Sequence, residues 1–229
     1  MSKEVIAIIP ARGGSKGIPR KNLIDLGAKP LLSWTLESAF KAESVTRVLV
    51  STDDPEIART SIDLGAECLM RPAELATDHI HAVHVVLHAL ETLQIDAELV
   101  LMLLPTSPFR QAYEIDDAIR TYRQQPDSDS LVSVCELDKQ ILHLRNIRKG
   151  FLVPLAETTN LNIQRQDLEP LYALNGSIYV STPAKLLKNR SFHTSYTIPY
   201  IMPWLHSIDI NSLQDLSLAK TLLQEVNQS

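Results

Sequence analysis

Positions 12–21 concentrate residues that could bind an anion. Arg12, Lys16, Arg20 and Lys21 fall within this stretch, interleaved with Gly13, Gly14 and Gly17, and no acid occurs between Glu4 and Asp25. Glycines let backbone N–H groups approach an anion closely and the cations neutralise it, so the chemistry implied is capture of a polyanion. Two common phosphate motifs do not fit. In G-x-x-x-x-G-K-[ST] the second glycine would be Ile18 or Pro19, and G-x-G-x-x-G is broken by the adjacent pair Gly13-Gly14. Asp53 sits where a dinucleotide-binding protein places its ribose acid, yet four cations suit a triphosphate better than the two phosphates of a dinucleotide.

A second concentration is imidazole. Four of the seven histidines, His79, His81, His84 and His88, lie within ten positions, and the last three follow helical spacing. Two readings stand: a zinc site, since imidazole is a good zinc ligand, or a polar helix face with no acid or thiol nearby to complete a metal set.

The elements that must position these groups alternate between short β-branched runs and longer helical patterns, the signature of βαβ units around a parallel sheet. Val5–Ile9 reads as a buried strand ended by Pro10, so the glycine loop leaves its carboxyl end, where open α/β sheets bind ligands. Leu31–Ala42 reads as a helix with Leu32, Leu36, Ala39 and Phe40 on its buried face. Strands are predicted at Arg47–Val50, Cys68–Met70, Ala97–Leu104 and Leu131–Cys135, and helices from Pro55 to about Leu64, at Ala82–Leu93 and at Tyr113–Gln124. Beyond about residue 138 the rhythm changes. Lys149-Gly150 is a turn signal between extended-looking segments, which predicts a hairpin-like excursion. Strands then return at Leu174–Val180, Tyr196–Ile201 and His206–Ile210, followed by a C-terminal amphipathic helix, Leu213–Val226.

Composition narrows the class. The chain has 229 residues, 45% hydrophobic and 21% charged, with 7 Gly and 13 Pro scattered along it, which excludes disordered, collagenous and disulfide-stapled chains and suits one domain over 1–229. A net charge of −5, from 27 acids and 22 bases, gives no global attraction to nucleic acid or an anionic membrane, so neither partner is expected. The apolar run Leu99 to Leu104 stops at Pro105, well short of the ~20 residues that span a bilayer. The start of the chain lacks the apolar stretch of a signal peptide, and Cys68 and Cys135 read as buried reduced thiols, so the cytoplasm is the expected compartment.

The segment Ile9-Pro10-Ala11-Arg12-Gly13-Gly14-Ser15-Lys16-Gly17-Ile18-Pro19-Arg20-Lys21-Asn22 resembles the signature of the acylneuraminate cytidylyltransferases, the CMP-sialic acid synthetases and related CMP-nonulosonic acid synthetases. The likeness extends along the chain through Arg71-Pro72-Ala73-Glu74-Leu75, Pro105-Thr106-Ser107-Pro108-Phe109-Arg110, Arg165-Gln166-Asp167, Tyr172, Asn175-Gly176-Ser177-Ile178-Tyr179 and Asp209-Ile210. The related Kdo cytidylyltransferases open similarly but continue differently after the first glycines. The resemblance implies a Rossmann-like nucleotidyltransferase (GT-A-like) α/β fold, a mostly parallel sheet flanked by helices. It also implies a homodimer formed through the excursion at about 137–170, whose apolar residues Ile141, Leu142, Leu144, Ile147, Phe151, Leu152 and Leu155 are too many for a free hairpin. The implied reaction joins CTP to a 2-keto sugar acid with Mg²⁺: the anomeric hydroxyl attacks the α-phosphate and pyrophosphate leaves.

Residue by residue, the resemblance places Arg12, Lys16 and Lys21 on the triphosphate, with loop backbone from Ala11 through Gly13, Gly14 and Ser15. Asn22 fixes the nucleotide, Arg71 reads cytosine, Arg165, Gln166, Asn175 and Tyr179 form the sugar side, and Asp209 with Asn211 faces the metal. Arg165 is a good carboxylate fork or an ordinary ion pair with Asp167 or Glu169, and Tyr179 is either a pocket residue or a sheet aromatic. Where the family reads Asp-Ile-Asp this chain has Asp209-Ile210-Asn211, losing one anionic ligand or, in the alternative, marking a non-catalytic nucleotide-sugar-binding regulator. Where many sialic acid synthetases present Gln, it has Leu104. An apolar residue facing the sugar favours a 9-deoxy, legionaminic or pseudaminic type of acid over N-acetylneuraminic acid, whereas one that merely continues the run Leu99–Leu103 implies nothing.

Overall fold

The computed structural model describes residues 4–137, 145–154 and 170–226. Its strands are β1 (Val5–Pro10), β2 (Arg47–Thr52), β3 (Glu67–Met70), β4 (Leu99–Leu103), β5 (Ser130–Leu137), β6 (Arg145–Arg148), β7 (Phe151–Pro154), β8 (Leu171–Ser181) and β9 (Thr197–Met202). All but β6 and β7 join one seven-stranded sheet in the order β3-β2-β1-β4-β8-β5-β9. Adjacent strands of that sheet are parallel except at β8, which runs antiparallel to both β4 and β5. The chain steps outward from β1 to β2 to β3 and then crosses back to β4 on the other side of β1. That reversal opens a crevice at the carboxyl ends of β1 and β4, where this class of sheet binds its ligands.

The helices are α1 (Leu31–Lys41), α2 (Pro55–Asp63), α3 (Ala82–Leu93), α4 (Ala112–Arg123), α5 (Pro183–Asn189) and α6 (Leu213–Val226). Alternate residues of β1 serve opposite faces. Val5, Ala7 and Ile9 pack with α1, α2 and α4, while Ile6 and Ile8 pack with α3 and α5. Such two-sided burial explains why the strand reads as an unbroken apolar run. A third cluster joins Ile18, Leu26 and Leu31 to Phe109, Ile208, Ile210 and α6, and it anchors the far side of the glycine loop.

Three expectations need correction. Phe40 is 46% exposed, because the buried stripe of α1 runs through Leu32, Leu36 and Ala39 and the helix ends beside the turn at Gly65. No strand forms at His206–Ile210. A short 3-10 turn, Leu205–Ser207, follows Pro203-Trp204, and the apolar alternation of Ile208 and Ile210 is used against α6 rather than in a sheet. Helix α5 stands where the sequence pattern predicts none: its seven residues are too few to show periodicity, although the Thr182 side chain and Pro183 are ordinary start signals.

Within the excursion β6 and β7 form an antiparallel pair, turning on Lys149 and Gly150, both with positive φ. That backbone is the turn that two-residue hairpins need. Cys68 on β3 and Cys135 on β5 have four strands between them, about 24 Å at ordinary strand spacing, too far for a bridge. Among the described residues no helix is long and apolar enough to cross a membrane.

Candidate active site

The glycine loop is tied down before it meets any ligand. Ala11 N–H donates to the Ser51 carbonyl at 2.9 Å, the Asn22 amide donates to the Arg12 carbonyl at 2.8 Å, and Gly13 N–H donates to Asp53 Oδ1 at 3.1 Å. A Cβ on Gly13 would lie 2.6 Å from Asp54 Oδ2, and one on Gly17 would lie 2.3 Å from the Asn211 carbonyl oxygen. Both glycines are therefore demanded by close protein contacts. A Cβ on Gly14 would meet nothing within 4 Å, and this residue borders the crevice with Ser15.

The four cations divide. Arg20 turns away to Asp54 and Glu56 at the start of α2, at 3.3 and 2.8 Å, and lies outside the crevice. Arg12 and Lys16 share one carboxylate, Asp78, at 2.7 and 2.9 Å. The Lys16 ammonium, followed by Arg12, holds the Asp78 carboxyl below the usual range. Lys21 reaches across to the segment before α6, donating to the Ile210 carbonyl at 2.9 Å and to Asn211 Oδ1 at 3.1 Å. Burial lowers its pKa, opposed by the charge of Asp209.

Arg71 is buried at the end of β3. It donates to the Ser51 carbonyl at 3.2 Å and faces Asp53 at 3.6 Å, while its Nε has no hydrogen-bond partner among the described residues. Burial lowers its pKa, with Asp53 opposing. Asp53 thus braces both Gly13 and Arg71, which is a different task from holding a ribose. The crevice is also lined by Leu75, Ile80, Val85, Leu104 and Pro105, and Leu104 borders it while packing against the core on the α3 side of the sheet.

Next to Lys21, Asn211 Nδ2 donates to Asp209 Oδ2 at 2.6 Å, and Asp209 Oδ1 is buried with no hydrogen-bond partner among the described residues. Asp215 accepts from the backbone N–H groups of Asn211 and Ser212 at 3.0 and 2.8 Å, which depress its pKa. No group of three or more His, Cys, Asp or Glu able to hold a metal occurs among the described residues. The four histidines, all described, therefore do not assemble a zinc set: His84 and His88 ride on α3, His81 precedes it, and His79 borders the groove beside Lys16. A hard cation is still compatible with the unpartnered oxygen of Asp209, completed by phosphate oxygens and water.

The expected sugar residues are placed unevenly. Asn175 is buried, its Oδ1 accepting from Ser133 at 2.6 Å and its Nδ2 donating to Ser207 at 2.9 Å, so its amide is engaged within the fold. Tyr179 is buried against Phe192 and His193, with ring centroids 5.4 and 6.0 Å away. Arg165 and Gln166 lie outside the described residues.

The roles of two residues escape a reading of the sequence. Asp78 gives no signal, because a single acid cannot be matched to cations some sixty positions away by spacing. Arg110, 2% exposed, donates to the Ser177 carbonyl at 2.7 Å and to Thr35 Oγ1 at 2.8 Å, and burial pulls it down to about 9 with Glu114 opposing. Glu114 in turn caps α4 through Gln111 N–H and meets His206 Nδ1 at 2.8 Å. This buried network fixes the segment between β4 and α4, whose Thr106 carbonyl accepts from Ile210 N–H at 2.8 Å.

The fold is the Rossmann-like nucleotidyltransferase fold. It matches CMP:2-keto-3-deoxy-manno-octonic acid synthetase complexed with CTP at a TM-score of 0.77 and 16% identity, over 97% of this chain and 99% of that one. It matches 4-diphosphocytidyl-2C-methyl-D-erythritol synthase from Anaerococcus prevotii at 0.66 and 14%, over 98% and 100%. Residues 6–185 match the family model described as Cytidylyltransferase, and the chain belongs to that family. It is 34% identical to the N-acylneuraminate cytidylyltransferase of Escherichia coli, over 100% of this chain and 54% of that protein. It is also 34% identical to the CMP-N,N'-diacetyllegionaminic acid synthase of Legionella pneumophila (98% and 97% covered) and 30% identical to the pseudaminic acid cytidylyltransferase of Campylobacter jejuni (98% and 98%). The chain spans about half the length of the first of these and nearly all of the other two.

Proposed function

We propose that the protein transfers CMP from CTP to the anomeric hydroxyl of a nonulosonic acid, releasing pyrophosphate. The observation that carries this reading is that Arg12 and Lys21 both line the crevice at the carboxyl ends of β1 and β4, with Lys16 beside Arg12 on Asp78 and Asp209 tied to Lys21 through Asn211. Such transfer asks little covalent chemistry of a protein; it asks for positioning and for charge aimed at the phosphates. Arg12, Lys16 and Lys21 neutralise the triphosphate, with loop backbone at Gly14 and Ser15 open to it. Ala11 and Asn22 hold the loop in shape, and Arg71 sits at the base end of the nucleotide. Asp209 would hold Mg²⁺, which would offset the charge that builds on the α-phosphate and the leaving pyrophosphate. Arg165 and Gln166 take the sugar carboxylate and its hydroxyl or acyl groups, and Asn175 and Tyr179 belong to the same sugar side.

Leu104 and its apolar neighbours favour a 9-deoxy acid of the legionaminic or pseudaminic type, because a hydroxyl pressed against them loses water without gaining a partner. The chain works as one domain, as a homodimer joined through about residues 137–170, in the cytoplasm. Pyrophosphate release from CTP with N-acetylneuraminic, legionaminic and pseudaminic acids tests the reading. Release with at least one acid supports it, and none with any acid in the presence of Mg²⁺ overturns it in favour of a binding protein.

A further inference from the structure

We propose that Asn211 is a positioning residue, whose side-chain amide aims the Lys21 ammonium and the Asp209 carboxylate at the same phosphates and is not itself a metal ligand. The inference rests on the cytidylyl-transfer reading. Lysine can only donate and an ionised carboxylate can only accept. The amide therefore has one orientation that satisfies both neighbours: Oδ1 accepts from Lys21 Nζ at 3.1 Å and Nδ2 donates to Asp209 Oδ2 at 2.6 Å. No carboxylate or hydrocarbon at this position could do both.

The rest of the residue is equally committed. Its N–H donates to Asp215 at 3.0 Å, and its carbonyl lies so close to Gly17 that a Cβ there would sit 2.3 Å away. Asn211 is thus the junction at which the segment before α6 meets the glycine loop, and its amide transmits that docking to two charged groups. One consequence concerns the cation. With Oδ2 of Asp209 taken by the amide, Oδ1 is the one oxygen of this carboxylate without a partner among the described residues, so Asp209 alone gives a cation a weak hold. The cation then enters together with the nucleotide's phosphates.

The test uses the whole protein with Asn211→Ala and Asn211→Asp. For Asn211→Ala we expect kcat to fall at least tenfold with KM for CTP within about threefold of the natural value and little change in Tm, since Lys21 keeps its bond to the Ile210 carbonyl. For Asn211→Asp we expect Mn²⁺ binding to the nucleotide-free protein, followed by electron paramagnetic resonance, to tighten at least tenfold over the natural chain, because a second carboxylate replaces the donor beside Asp209. Natural kcat in the alanine variant, or Mn²⁺ bound by the natural chain as tightly as by the aspartate variant, overturns the proposal. The metal arm needs no turnover, so a failure of the cytidylyl-transfer reading, in which neither the natural chain nor a variant releases pyrophosphate, is distinguishable from a failure of this one.

Discussion

Lys21 bridges two parts of the chain nearly two hundred positions apart, and its charge is held in place by a carbonyl and an amide, with no direct ion pair among the described residues. Its positive charge is therefore left for the substrate. Lys21→Ala should lower kcat/KM at least tenfold, about 1.4 kcal/mol or more of transition-state stabilisation, measured by pyrophosphate release; near-natural turnover would reject the role. Leu104 belongs to the same scale. The natural chain should use a legionaminic or pseudaminic type of acid at least tenfold more efficiently than N-acetylneuraminic acid, and Leu104→Gln should narrow that gap. A preference for N-acetylneuraminic acid would mean that this wall of the crevice does not meet the sugar's tail. The cations of the loop are legible in the sequence because they stand in one acid-free stretch. Which of them turns away is not legible, since the departure of Arg20 depends on Asp54 and Glu56, brought near only by the pairing of β1 with β2.

Elements position these residues through a few close approaches. Gly17→Ala would drive a methyl into the Asn211 carbonyl and should separate the loop from the segment before α6, lowering both Tm and turnover, whereas Gly14→Ala meets no neighbour and should leave Tm nearly unchanged. Equal Tm values for the two variants would show that the docking of these segments is not tight. Arg110→Ala removes a buried guanidinium that ties β8 and α1 to the segment after β4, and urea unfolding should register a loss of about 3 kcal/mol or more. A change under about 1 kcal/mol would mean that water replaces it. The parallel strands and long helices are legible because each buries a continuous run or a clear stripe. The antiparallel course of β8 is not: a buried strand has the same apolar pattern in either direction, and only its place between β4 and β5 decides the matter.

At the scale of the whole molecule, the three most exposed large hydrophobic side chains among the described residues all lie on one hairpin. Ile147 and Leu152, 76 and 74% exposed, pair across one face of the β6–β7 hairpin and Phe151, 74% exposed, lies on the other, so both faces present apolar side chains that a partner would bury. Light scattering should therefore give the mass of a dimer at micromolar concentration, and Phe151→Asp with Leu152→Asp should shift it to a monomer. A natural chain that is monomeric and fully active would overturn the dimer. The general plan of the molecule, helices on both faces of a mostly parallel sheet with a crevice at its reversal, follows from the order of elements alone. The contacts that make the crevice a site join β1 and β3 to a segment near the other end of the chain, and spacing carries no information about such contacts.

The clamp of Asp78 on Arg12 and Lys16 has a consequence for how the protein responds to salt. The loop carries a tethered counterion, so the arrival of a triphosphate exchanges one anion for another where a bare basic loop would expel mobile ions into solution. Counterion release is what makes the binding of polyanions fall steeply with added salt. The affinity for CTP should accordingly decline with ionic strength more gently than the charges of Arg12, Lys16 and Lys21 would suggest, and Asp78→Asn should steepen that dependence, because the counterions displaced would then come from the solvent.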